Sequence, residues 1–187
     1  VITDGLLSYW TLDEADIDGE IVKDVWGDRD GTMINNPEIV EGKYGQALRF
    51  VGGAYVDFDP KGLPEGDAER TMCAWVKPEG AGVRAVLEWG TNAATQRCSI
   101  LIESNEKVKF CGQNADLLTA DSIPLEEWSL ITETYDGTTV RIYFNGELVS
   151  NQDKAINTTL GAQGFCRIGA NIKVPVGEFM NGRIDEA

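Results

Sequence analysis

No stretch of this chain sustains the 3.6-residue apolar spacing of a helix. What recurs instead is a short apolar run closed off by Gly, Asp or Asn. Residues 6–12, 47–51, 54–58, 71–76, 83–89, 99–103, 107–111, 129–135, 140–144, 165–170 and 183–186 all read as strands on this pattern. In Thr139-Val140-Arg141-Ile142-Tyr143-Phe144, the side chains of Val140, Ile142 and Phe144 fall on one face and those of Arg141 and Tyr143 on the other, as in a half-buried strand. Asp136-Gly137 and Asn145-Gly146 sit between apolar runs and signal tight hairpins, and Ser104-Asn105-Glu106 links two further runs. The 21 glycines supply the positive φ angles that many tight turns need. Many short strands with turn signals every ~8–12 residues predict an all-β, two-sheet antiparallel sandwich.

Charge and composition narrow the function. Sixteen Lys and Arg stand against 31 Asp and Glu, a formal net charge of -15 that repels phosphate backbones and anionic lipid. Nucleic acid and membrane surface are therefore poor partners. The chain has no histidine, which removes Ser-His-Asp and Cys-His catalysis and any His-bound zinc or haem. No apolar run is long enough to span a bilayer. The opening Val1-Ile2-Thr3-Asp4-Gly5 is neither a signal peptide nor an initiator, which suggests a mature or excised piece.

At 187 residues and 42% hydrophobic content, the chain is expected to form one domain with a real core, spanning 1–187. Residues 60–69 read as a surface loop and 151–164 as a longer polar connection. Asn157-Thr158-Thr159 is a formal glycosylation sequon, read here as a polar turn. Cys73, Cys98, Cys111 and Cys166 form no C-x-x-C pair, so a thiolate zinc site is not expected. They fit either small buried hydrophobes or one or two disulfides of a secreted domain.

Several segments, in order, resemble bacterial laminin-G-like domains of the concanavalin A-like lectin/glucanase superfamily. Gly5-Leu6-Leu7-Ser8-Tyr9-Trp10-Thr11-Leu12-Asp13-Glu14 is similar to the opening strand, and Asp24-Val25-Trp26-Gly27-Asp28-Arg29-Asp30-Gly31-Thr32 to a D-x-x-G-N loop. Gly42-Lys43-Tyr44-Gly45-Gln46-Ala47-Leu48-Arg49-Phe50 and Thr71-Met72-Cys73-Ala74-Trp75-Val76-Lys77-Pro78 resemble the G-K-x-G-x-A-L-x-F and S-x-W-V-K-P segments. Glu127-Trp128, followed by Thr134-Tyr135-Asp136-Gly137 through Tyr143-Phe144-Asn145-Gly146, resembles the W…T-Y-D-G…I-Y-x-N-G hairpin. Gly182-Arg183-Ile184-Asp185-Glu186 is similar to the G-x-I-D-E strand, which in the family runs on into a V-R-I-Y-type stretch, so the closing strand is expected to be incomplete here. The resemblance implies a jelly roll, a calcium ion at its rim and a binding or adhesive role. It does not imply a reaction, since the superfamily holds both glucanases and lectins.

The glycosidases of that superfamily carry E-x-D-x-x-E on one strand. Glu14-Ala15-Asp16-Ile17-Asp18-Gly19-Glu20 departs from it, with Gly19 where the second glutamate belongs, and reads as a solvated acidic loop. An EF-hand is excluded because Val25 stands where the bidentate glutamate belongs. For the rim calcium the resemblance implies Asp13, Asp28, the carbonyls of Gly52 and Gly53, and Asp185, while Asp24 and Asp30 order their loop through backbone N–H groups.

The resemblance puts Trp10, Trp75 and Trp128 in the core. Trp26, within the Asp/Gly loop, and Trp89, just before Gly90-Thr91-Asn92, are candidate platforms for a sugar ring, with Asn92, Gln96, Gln113, Asn114 and Asp116 to bond its hydroxyls. The expected function is a calcium-stabilised, non-catalytic carbohydrate-binding or adhesion module of an extracellular bacterial protein, monomeric, with a glycan or extracellular protein as ligand. The alternatives are a protein–protein or spacer domain with no sugar site and, further off, a glycoside hydrolase.

Overall fold

The computed structural model describes residues 3–161 and 165–187. After a 3-10 turn at Glu14–Asp16, sixteen strands follow in chain order. The first eight are β1 Ile17–Asp18, β2 Ile21–Val22, β3 Gly31–Ile34, β4 Glu38–Glu41, β5 Gln46–Phe50, β6 Tyr55–Phe58, β7 Arg70–Pro78 and β8 Arg84–Gly90. The rest are β9 Arg97–Ile102, β10 Lys107–Phe110, β11 Leu117–Ser122, β12 Ser129–Tyr135, β13 Thr139–Phe144, β14 Glu147–Asp153, β15 Phe165–Ile168 and β16 Gly182–Asp185. They form a nine-stranded sheet, β1-β2-β3-β6-β15-β8-β9-β10-β11, and a seven-stranded sheet, β14-β13-β12-β7-β16-β5-β4. All described pairings are antiparallel, as the turn chemistry requires. The predicted two-sheet jelly roll is the observed fold.

Alternation decides what lies between the sheets. Met72, Ala74 and Val76 of β7, Ile131 and Tyr135 of β12, Val140 and Ile142 of β13 and Ile184 of β16 face Val56, Phe58, Ile100, Ile102 and Ile168 of the larger sheet. Trp10 and Leu12 seal the seam between them. The last two strands are inserted rather than added. β15 enters between β6 and β8, and β16 between β5 and β7.

Three strand-level expectations change. Residues 6–12 form no ladder strand; the segment is held by Trp10 and Ala187, which exchange N–H···O bonds of 2.9 and 3.0 Å, and by the Val25 N–H on the Tyr9 carbonyl at 2.9 Å. The supposed connection after residue 150 begins inside β14 and then turns inward, with Thr158 buried and bridged to Gly66. Its last part, 162–164, lies outside the described residues. Trp75 and Trp128 are half-buried, not core; Trp75 stands on the outer face of β7, as its alternation with Met72, Ala74 and Val76 dictates.

All four cysteines are free. Cys98 and Cys166 are each in register with Trp89 from opposite sides, so two strand spacings, about 9.5 Å, separate them and no bond can form. Cys98, Cys111 and Cys166 are buried, and burial pushes their thiols up, to about 12 for Cys98 and about 11 for Cys111, leaving them unreactive.

Candidate functional site

The loop before β3 is built around Asp24. Its Oδ1 accepts N–H bonds from Tyr9 (2.9 Å), Trp26 (3.2 Å) and Gly27 (2.8 Å), and Oδ2 accepts one from Arg29 (3.2 Å). Asp30 closes the loop by accepting the Asp24 N–H at 3.0 Å and pairing with Lys23 at 2.7 Å. Both aspartates thus order the loop through backbone N–H groups, as the sequence suggested. A Cβ at Gly27 would stand 2.4 Å from the Leu7 carbonyl oxygen, so glycine is required there. Trp26 projects from this frame with 49% of its surface exposed, its indole N–H donating to the Leu6 carbonyl at 2.9 Å. The ring is therefore held at a fixed angle while remaining open to solvent, with the adjacent Val25 also exposed, as is Leu7, whose carbonyl accepts from Arg29 of the same loop.

Trp89 is a correction. It is only 4% exposed, faces the interior and donates its indole N–H to the Pro64 carbonyl at 3.2 Å, so it is no platform for a sugar. Its direction follows from its register with Cys98 and Cys166, a non-local fact that the run 83–89 does not contain. The polar candidates do assemble. The 91–96 and 111–116 loops meet where the Thr95 N–H donates to the Gln113 carbonyl at 2.7 Å. Asn92, Asn114 and Asp116 are exposed there, and Gln113 is half-buried. Gln96 is occupied, accepting the Thr159 hydroxyl at 2.6 Å. These loops share an end of the larger sheet with the Trp26 loop but lie three or more strand spacings away, about 14 Å or more. One sugar ring cannot touch both groups; an oligosaccharide can.

The five positions implied for calcium separate. Asp13 and Asp185 come together on the 42–46 turn. Asp13 Oδ1 accepts the Gln46 N–H at 2.5 Å, and Asp185 Oδ2 accepts those of Lys43 and Tyr44 at 2.7 and 3.0 Å. Cβ atoms at Gly42 and Gly45 would sit 2.7 Å from Asp185 Oδ2 and 2.5 Å from Asp13 Oδ1, so both glycines make room for the carboxylates. Asp185 is fully buried and its Oδ1 has no partner. Burial, opposed by the Tyr44 and Lys43 N–H groups and reinforced by the charge of Asp13, pushes its carboxyl up to about 6. An orphaned buried oxygen beside a second carboxylate is what a cation would satisfy, so these two residues fit one.

Asp28 and Gly53 do not join them. Asp28 is exposed in the Trp26 loop, which packs on Leu6 and Leu7 at the far end of the segment from Asp13. The Gly53 carbonyl accepts from Asn35 at 3.0 Å beyond the Phe50 end of β5, while Gln46 begins that strand about 13 Å away. Among the described residues no three acidic or thiol side chains converge on one point, so a cation at Asp13 and Asp185 needs carbonyl or water oxygens as well.

Most acids elsewhere are solvated or paired; Glu133 is buried between the sheets with neither oxygen partnered. Glu14, Asp18 and Glu20 are exposed, and Asp16 accepts the Thr11 hydroxyl at 2.7 Å. Glu88 and Glu178 approach each other, but through Arg97, whose Nη2 donates to them at 2.7 and 3.0 Å beneath the 169–180 segment. A cavity of about 700 Å³ opens between the sheets, bordered by Leu6, Ser8, Thr71, Cys73, Trp89 and Ala187. It lies where β7, from Arg70 to Cys73, has β12 on one side and no described strand on the other.

Two antiparallel sheets with their strands inserted in this order define a jelly-roll β-sandwich of the lectin type. The family model of the concanavalin A-like lectin/glucanases superfamily, laminin G type, matches residues 50–187, and the chain belongs to that family. A search of curated protein sequences matches nothing. Among solved structures, domain 4 of AbnA, a GH43 extracellular arabinanase from Geobacillus stearothermophilus in complex with arabinotriose, is 19% identical with a TM-score of 0.72, over 96% of this chain and 88% of that one. The binding domain of Paraclostridial Mosquitocidal Protein 1 is 13% identical with a TM-score of 0.70, over 98% and 48%. A carbohydrate-binding protein, so described provisionally, from Bacteroides ovatus is 18% identical with a TM-score of 0.59, over 74% and 41%. At these identities the likeness is one of fold.

Proposed function

We propose that the chain is a non-catalytic carbohydrate-binding module, working outside the cell and using the rim of the larger sheet. The observation that carries this reading is Trp26, an indole half open to solvent whose N–H and backbone are both fixed by hydrogen bonds. A rigid exposed aromatic gives a sugar ring apolar contact at low entropy cost. Asn92, Asn114 and Asp116 supply hydrogen-bonding groups for further residues of the same oligosaccharide. The arabinotriose complex of the AbnA domain and the Bacteroides ovatus protein support a glycan as the ligand. The non-catalytic reading is supported by the placement of the acids: Glu14, Asp18 and Glu20 are exposed, Asp16 is bonded to Thr11, Glu88 and Glu178 are tied to Arg97, and Glu133 is shut between the sheets. We take residues 1–187 as one such module, stabilised by a calcium ion held by Asp13 and Asp185.

A glycan array of neutral oligosaccharides tests the reading. Binding to a related set of sugars is expected, weakened roughly 10-fold (about 1.4 kcal/mol) by Trp26→Ala, which removes the ring's apolar contact and nothing from the core. Retained binding in that variant would move the site elsewhere. Silence from folded protein would favour a protein–protein or spacer role.

A further inference from the structure

The outer faces of the two sheets differ. That of the larger sheet is closed, because the 169–180 segment covers Glu88, Arg97 and Arg167, all of them buried. That of the smaller sheet carries an aromatic pair beside two lysines that have no carboxylate partner among the described residues. Tyr44, 57% exposed, meets Trp75 edge-on with ring centroids 6.0 Å apart. The Lys43 ammonium lies 4.6 Å from the Trp75 centroid. Lys77 is the next residue on the same face of β7, about 6.6 Å along the strand from Trp75. Asp185 accepts the N–H groups of both Lys43 and Tyr44, which fixes the turn that presents them.

The charges on this face are unevenly spent. Glu79 is already paired with Arg49 at 2.6 Å and Arg183 at 2.7 Å. Lys43 and Lys77 have no carboxylate partner among the described residues. In a chain of net charge -15, two lysines without carboxylate partners beside the exposed Tyr44 ring and the half-buried Trp75 mark a local cationic spot with an aromatic edge. Stacking alone would accept any sugar; the lysines select one that carries a negative charge.

We propose that this face binds an acidic saccharide, a uronate ring lying against Tyr44 and the rim of Trp75 with its carboxylate between Lys43 and Lys77. The choice of a saccharide rests on the glycan-binding reading above, but the surface is separate from Trp26. The test is a titration of trigalacturonate, followed by tryptophan fluorescence and calorimetry, at about 20 mM and about 300 mM salt. Binding is expected at low salt and at least ~10-fold weaker at high salt, since exposed charges are screened. A Lys43→Met/Lys77→Met double variant, which keeps the side-chain stems, is expected to lose at least ~10-fold, and Tyr44→Ala a similar factor.

Neutral galactotriose is expected not to compete, and Trp26→Ala to bind trigalacturonate as the parent does. Equal binding of the neutral trimer by the Trp26→Ala protein, equal binding of hexaglutamate, an unchanged double variant, or no binding by protein with a native near-ultraviolet spectrum would each overturn the proposal. Neutral-glycan binding lost in Trp26→Ala tests the rim reading alone, so the two can fail separately.

Discussion

Glu133 is the most costly residue in the molecule by simple physical chemistry. It points between the sheets from β12, is 2% exposed, and neither carboxyl oxygen has a partner. Burial holds its pKa well above the ordinary carboxylate range, so it stays protonated where a surface glutamate would ionise. The folded state therefore keeps a proton that the unfolded state gives up above about pH 4.5, and stability falls as pH rises from there through the raised pKa. Glu133→Leu is expected to raise stability at neutral pH by about 1–3 kcal/mol, the cost of an unsatisfied buried polar group, and to flatten that decline. Thermal melts across the pH range check both; a variant that melts lower than the parent would show that Glu133 has a partner in solution. Residue-level features were legible where chemistry is local. The Asp24 and Asp30 turn chemistry can be read from neighbouring residues, whereas Trp75, expected in the core, stands on the outer face of β7 beside Lys77. The direction of Trp89 and the isolation of Glu133 cannot be read locally, because each depends on strands far away in sequence.

Among elements, the 169–180 segment is the one whose attachment is electrostatic. Glu178 reaches down to Arg97 at 3.0 Å and across to Lys173 at 2.5 Å. Burial opposes its ionisation, yet Lys173, Asn171 and Arg97 together hold its carboxyl down to about 2. Its contribution is present above about pH 4.5 and is lost as pH falls toward 2. Glu178→Gln is expected to cost about 1–3 kcal/mol, leaving the buried Arg97 with Glu88 as its remaining carboxylate. Hydrogen exchange at the Asn171 and Met180 amides, bonded to the Gly177 and Gly169 carbonyls, should then speed up before exchange elsewhere does. Uniform exchange across the chain would mean that the segment does not open on its own. The long alternating strands, β7, β12 and β13, were legible because one face is apolar. β14 and β11 were not, since each lies at a sheet edge and is largely exposed, leaving little periodicity to read. β3 and β4 are four residues each, too short for alternation to register.

At the scale of the whole molecule, Asp13 and Asp185 bring the start of the sandwich, the 42–46 turn and β16 to one point. If a calcium ion sits there, it binds the folded chain alone, and at a hundred times its dissociation constant it adds about 2.7 kcal/mol. A higher melting temperature in calcium than in chelator is expected, with the difference abolished by Asp185→Asn; identical melts would dismiss the ion. The overall fold was legible because turns and alternation repeat along the chain, whereas the separation of Asp28 and Gly53 from Asp13 and Asp185 was not, because a rim has more than one end. The insertion of β15 and β16 bears on how the protein is made. A ribosome delivers these two pieces after the strands on either side of them, so β5, β6, β7 and β8 emerge with edges that their later neighbours do not yet cover. Until β15 and β16 have emerged the sandwich is a set of open ladders waiting for their middle rungs, and the cell that makes it has to keep those ladders from finding one another first.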